Sequence, residues 1–172
     1  VGTTAIGAAL TEHHPVWLHR GEHFFHDTSS YSCAGAPVFD PDGMCAGMLD
    51  LTGIDVPERP ALRHLVALSA KRIENAWVLS RPHRLMLRVS WPGQTPGSDT
   101  DGLLTASQEG QITGFNPTAA DMLGLVPNRH RQMLDDVFAA PVGHLFDQAQ
   151  HGACAREWPL WSGLRVQVLA SL

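Results

Sequence analysis

Apolar positions fall in short alternating runs through the first third of the chain, then in one long helical stretch, then again in short runs after a polar break. Ala5 to His13 predicts a short helix entered from Gly2-Thr3-Thr4, whose hydroxyls can accept the first free backbone N–H groups, and Pro15 stops it. Val16 to His19 alternates as a strand, with Val16 and Leu18 on one face and Trp17 and His19 on the other. His23 to Tyr31 reads as loop or irregular helix. Ala34 to Phe39 and Met44 to Thr52 are two apolar runs joined by Asp40-Pro41-Asp42-Gly43, a composition suited to a tight turn, and together they predict a hairpin.

Pro60 and Pro82 bracket the long helical stretch. Within it Leu62, Val66, Ser69, Ile73, Ala76 and Ser80 follow a heptad-like spacing, with Leu65, Leu68 and Trp77 as a second strip. The pattern fits either a weak coiled-coil seam or a helix that covers its own sheet. Residues 90 to 102 are rich in Pro, Gly and Ser, and the linker is placed at 81–101. Beyond it, Leu103 to Ala106 and Gln111 to Phe115 predict a second hairpin across Glu109-Gly110. Asn116 then caps a helix from Thr118 to Leu123 that Gly124 ends. Arg131 to Ala139 and His144 to Gln150 are expected as helices, and Leu164 to Leu169 as a strand.

Residues 2 to 53 resemble the GAF domain of bacterial sigma-54-dependent activators of the acetoin-catabolism regulator type. Gly2, Thr3, Ala5, Ile6 and Gly7 fit a first motif, with Thr4 where Asn is usual. Glu22, His23 and Phe24 fit a second, and Cys33, Ala36, Pro37, Asp40, Pro41 and Gly43 a third. The run from Leu103 to Gly124 is similar to the opening of a PAS domain. The fold these resemblances imply is α+β: residues 1–80 as the C-terminal part of a GAF-like antiparallel sheet with flanking helices, and 102–172 as a partial PAS-like unit. The first is expected to lack its N-terminal strands and the second its last ones, so that one copy cannot complete its sheets and self-associates.

A 44% apolar composition in 172 residues suffices for one or two packed cores, and no run of apolar residues is long enough for a membrane helix. No secretory leader opens the chain, and the cytoplasm is the expected compartment. A net charge of −5 with a single lysine, Lys71, argues against a nucleic-acid surface. Cys33, Cys45 and Cys154 are an odd set without CxxC spacing, which disfavours a disulfide framework and a structural zinc site.

Candidate chemistry is concentrated between positions 13 and 33. His13, His14, His19, His23 and His26 crowd one stretch, and His19, His23 and His26 could approach a metal with Asp27 or Cys33 only on a helical backbone; loop or pocket histidines are the simpler expectation. Trp17, Phe24, Phe25 and Tyr31 are placed to wall a ligand cavity, with His23 and Ser32 as orienting groups, although the same rings would fill an ordinary core. Cys33 has no neighbouring Lys or Arg to activate it and reads as a small core thiol. The expected ligand-contacting set is Trp17, His23, Phe24, Tyr31 and Cys33. No cofactor or metal is expected, and no catalytic motif appears.

The function these readings imply is non-enzymatic: a sensory region that binds a small effector, an acetoin-like metabolite on the resemblance, and passes the signal through the long helix of a homodimer. Two alternatives stand beside it. One is a ligand-free dimerisation module. The other is a GAF-fold methionine sulfoxide reductase, which requires Cys33 and Cys45 to meet.

Overall fold

The computed structural model describes residues 4–152 and 154–172, so Gly2 and Thr3 of the first motif lie outside the described residues. The chain is mixed α+β with antiparallel sheets, as the resemblances imply, and divides into two units. The first holds residues up to Phe39 together with Cys45–Ile73. The second holds Asp40–Met44 and Glu74–Leu172.

The first unit opens with α1 (Ala5–Glu12), capped by the Thr4 hydroxyl, which accepts from the Gly7 N–H at 3.0 Å. It ends at His13, whose φ of 55° stops the helix before Pro15 does. Three strands follow in the order β1 (Val16–His19), β2 (Tyr31–Phe39) and β3 (Cys45–Ile54), all antiparallel. The hairpin is longer than the turn chemistry alone predicts, pairing Tyr31 with Ile54 at its open end. One sheet face buries Ala34, Ala36 and Val38 against Val66 and Ala70 of α2 (Ala61–Ser80). The other face carries α1, for a Cβ on Gly35 would stand 2.8 Å from Met48 Cε and 3.1 Å from the Ala5 carbonyl oxygen.

Of the two patterns the sequence left open for α2, the first half of the helix shows the one that covers its own sheet. Val66 is fully buried in the unit's own core and Leu62 packs against it, whereas Ile73, Ala76 and Ser80 of the same seam are exposed. A helix lying on its own sheet turns its 3.6-residue stripe inward, so a 3.5-residue strip drifts around the surface.

The second unit is a five-stranded antiparallel sheet in the order β6-β5-β4-β8-β7. Its strands are β4 (Leu85–Ser90), β5 (Gly102–Ala106), β6 (Ile112–Phe115), β7 (Arg156–Pro159) and β8 (Arg165–Ser171). Strand β4 corrects the sequence reading: it lies inside the stretch expected as linker and takes the middle of the sheet. Leu85, Leu87 and Val89 alternate with Met86, Arg88 and Ser90, and the three apolar side chains are fully buried. Their core includes Leu104, Leu134, Phe138, Leu145, Trp158, Val166 and Val168.

Two helices flank this sheet, α3 (Pro117–Leu123) and α4 (Gly143–Gln150). Gln148 of α4 donates to the Val168 carbonyl at 2.8 Å and accepts from Trp158 Nε1 at 2.9 Å, so its buried amide fixes the helix on β8 and β7. The helix expected over Arg131–Ala139 is only a single 3₁₀ turn, Leu134–Asp136. Arg131 has φ 57°, Gln132 hydrogen-bonds both the N–H and the carbonyl of Val126, and the Met133 N–H donates to Asp136 Oδ2. These side-chain bonds replace a helical ladder.

Asn116 is buried, and its carboxamide makes four hydrogen bonds. Oδ1 accepts from the N–H groups of Leu103 at 3.0 Å and Ala119 at 2.8 Å. Nδ2 donates to Asn75 Oδ1 at 2.8 Å and the Asp101 carbonyl at 2.9 Å. Asn116→Ala removes a helix cap and strands buried partners, so a loss of about 3 kcal/mol in urea unfolding is expected. Asn116→Asp keeps the cap but cannot donate to Asn75 or Asp101, and is expected to fall between the two.

Candidate functional site

Strand alternation divides the expected ligand residues of the first unit. Trp17 pairs with Ala34 and packs in the α2-side core, its ring stacked on His19 with centroids 6.0 Å apart. On the same face, His19 Nδ1 and Ser32 Oγ are 2.6 Å apart. Tyr31 and Cys33 alternate onto the opposite, α1-side face. Phe24 is in neither place. It is 70% exposed and meets the Phe25 ring edge to face. Arg20–Glu22 and His26–Thr28 form separate 3₁₀ turns, and no single helical face aligns the five histidines. Among the described residues no three His, Cys, Asp or Glu side chains come together to hold a metal ion.

The α1-side face contains a polar ladder that sequence reasoning missed. Cys33 stands opposite Thr52, with Sγ and Oγ1 3.4 Å apart, and Thr52 Oγ1 donates to Asp50 Oδ2 at 2.6 Å. Asp50 Oδ1 is buried and unpartnered. One signal was legible: Asp50 interrupts the apolar run Met48-Leu49-Asp50-Leu51 on the strand predicted from hydropathy. Burial raises the Cys33 thiol pKa, the nearby Asp50 carboxylate raises it further, and the Thr52 hydrogen bond opposes them. The thiol is therefore held neutral, as a core thiol would be.

His23 is 7% exposed, and neither ring nitrogen has a partner. Trp17 Nε1 is likewise buried without an acceptor. Among the described residues, every buried side-chain polar atom left without a partner belongs to Trp17, His23 or Asp50, all in the first unit. Groups of this kind cost about 1–3 kcal/mol each, and native structures hold few of them. Two of the three, Trp17 and His23, belong to the predicted set.

Cys33 and Cys45 do not meet. The register sets Cys33 opposite Thr52 and Cys45 opposite Phe39, six residues along β2 and therefore about 20 Å away.

No family model matches the chain. It is similar to the acetoin catabolism regulatory protein of Cupriavidus necator, 30% identical over 128 residues, which is 71% of this chain and 19% of that protein. A signal-transduction and transcriptional-control protein of Clostridium beijerinckii is 28% identical over 71% of the chain and 20% of its own length. The acetoin dehydrogenase operon transcriptional activator of Bacillus subtilis is 25% identical over the same shares. The chain thus spans about a fifth of the curated relatives it matches, and these are regulators of transcription by name. A solved complex, E. coli DhaR(N)–DhaL, aligns with 98% of this chain and 64% of that one at 12% identity and a TM-score of 0.36. No helix among the described residues is long and apolar enough to cross a membrane.

The raised pKa of Cys33 gives a direct expectation. At pH 7.5 a thiol reagent such as iodoacetamide is expected to modify exposed Cys154 first, with Cys33 at least tenfold slower, since only the thiolate attacks. Time-resolved peptide mass spectrometry measures both rates. Equal rates would show Cys33 to be accessible and ionised.

Proposed function

We propose that this chain is a sensory and regulatory region of a bacterial transcriptional activator, its first unit a GAF-like receptor for a small uncharged effector and its second a PAS-like unit. The observation that carries this reading is the unpaired, buried Asp50 Oδ1 on the α1-side face; the unpaired Trp17 Nε1 lies on the opposite face of the sheet and belongs to a different surface. A protein that keeps such groups forgoes stability in the free state, and a ligand that pairs with them recovers it. The ladder on the α1-side face narrows the chemistry. Asp50 Oδ1 is an acceptor seeking a donor, and Thr52 is already committed to Asp50 Oδ2. A hydroxyl-bearing metabolite fits that demand. Relatives named for acetoin, a hydroxyketone, support the same class.

The reading is regulatory rather than catalytic. A neutral, buried Cys33 and its distance from Cys45 weigh against the methionine sulfoxide reductase alternative. The dimerisation alternative retains one observation, the exposed Leu65, Leu68, Ile73, Trp77 and Leu79 on α2. Such a strip accommodates a second copy and is compatible with effector binding, so the homodimer is retained in the proposal.

Isothermal titration calorimetry of the chain against small hydroxyl- and carbonyl-bearing metabolites, acetoin among them, tests the receptor reading. Saturable heat is expected from at least one, and Asp50→Ala is expected to weaken it at least tenfold. His23→Phe replaces an unpaired buried imidazole with a ring that asks for no partner. It is expected to stabilise the free chain by about 1 kcal/mol in thermal unfolding while weakening binding. No heat from any of these compounds, together with a destabilised His23→Phe variant, would leave the scaffold reading in its place.

A further inference from the structure

The Asp40–Met44 segment turns the β2–β3 hairpin, yet it belongs structurally to the second unit. That unit's sheet ends at β6, an edge strand whose outward N–H groups would otherwise face solvent. Two of them are covered. The Ile112 N–H donates to the Gln132 carbonyl at 2.9 Å, and the Phe115 N–H donates to the Pro41 carbonyl at 3.0 Å. The Asn128 N–H reaches the Asp42 carbonyl at 2.8 Å, and Arg81 pairs with the Asp42 carboxylate at 2.5 Å.

The fit of the turn is steric as well as polar. Gly43 has φ 81°, and a Cβ there would stand 2.9 Å from the Phe115 ring; a Cβ on Gly114 would stand 3.0 Å from Pro41 Cβ. Two positions without side chains therefore let the turn lie close against β6. Internally, Asp40 Oδ1 accepts from the N–H groups of Asp42 and Met44, so the turn keeps its shape whether or not it is seated.

We propose that the Asp40–Met44 turn is a releasable cap on the open edge of the second sheet, latched by the Asp42–Arg81 ion pair. Both charged side chains are about half exposed, so the latch is weak and screened by salt, unlike the buried hydrogen bonds of Asn116. The ion pair is the part of the seat that salt can loosen, beside the two backbone hydrogen bonds and the close packing of the turn. Asp40 and Met44 run directly into the strands of the hairpin, and the pairing shifts register between Val38 and Phe39, immediately before the turn. A further slip in that register would draw the cap away from β6. Arg81, its anchor, lies between the end of α2 and the start of β4. This device does not depend on the identity of any effector.

Amide hydrogen exchange of the chain, resolved by residue with NMR, tests the proposal. Asp42→Ala and Arg81→Ala are each expected to speed exchange at Phe115 and Asn128 about two- to fivefold in low salt, the double variant no further, and high salt to erase the difference. The charge swap Asp42→Arg with Arg81→Asp is expected to restore protection. Gly114→Val is expected to give a larger acceleration at the same two amides, with Val168 unchanged as the control for global unfolding. If Val168 also exchanges faster in that variant, the single charge variants and the swap decide alone. Phe115 and Asn128 amides that exchange in the parent chain as fast as free backbone, or at a rate indifferent to both single charge variants and to the swap, would overturn the cap.

Discussion

A single carboxamide, that of Asn116, organises the start of the second unit. It closes the N-terminus of α3, holds the Leu103 N–H of β5, and reaches Asn75 near the end of α2 and the Asp101 carbonyl before β5. Each of these groups is buried or partly buried, so each would cost free energy if left without a partner. Only a side chain with two acceptor lone pairs and two donors, short enough to bend back on its own helix, meets all four demands. Leu104 and Ala119 pack in the core beside that polar anchor.

The two units treat buried polarity differently. In the second, Asn116, Gln132 and Gln148 are all spent on named partners, and the core between sheet and helices is filled with Leu, Val, Phe and Trp. In the first, the core is a small cluster of Ala and Val, and Trp17, His23 and Asp50 keep unused hydrogen-bonding atoms. Saturated polar networks rigidify a scaffold, whereas unsaturated ones lower stability where recognition is needed.

Local chemistry carried the correct expectations. Both hairpins, the Thr4 and Asn116 caps and the Gly124 helix end are set by residues within four positions of one another. Strand β4 was hidden because its meaning is non-local: Leu85, Leu87 and Val89 become central only when β8, at residues 165–171, pairs with them. The helix expected over Arg131–Ala139 failed for a related reason. Its apolar spacing is compatible with a helix, but Gln132 finds better partners in Val126, and Met133 and Phe138 form isolated bridges with Gln111 and Leu160.

Of the candidate site, the sequence by itself determined which residue types are present and that the stretch from Trp17 to Cys33 alternates between loop and strand. It also determined the Asp-Pro-Asp-Gly corner, since turn chemistry is a matter of neighbouring residues. Only the tertiary structure decided that Trp17 and Cys33 lie on opposite faces, that Phe24 is left in solvent, and that Asp50 and Thr52 stand beside Cys33. Burial and pairing are properties of surfaces brought together from distant parts of the chain. A side chain's hydrogen-bonding capacity is written in the sequence, but whether that capacity is used depends on what packs over it.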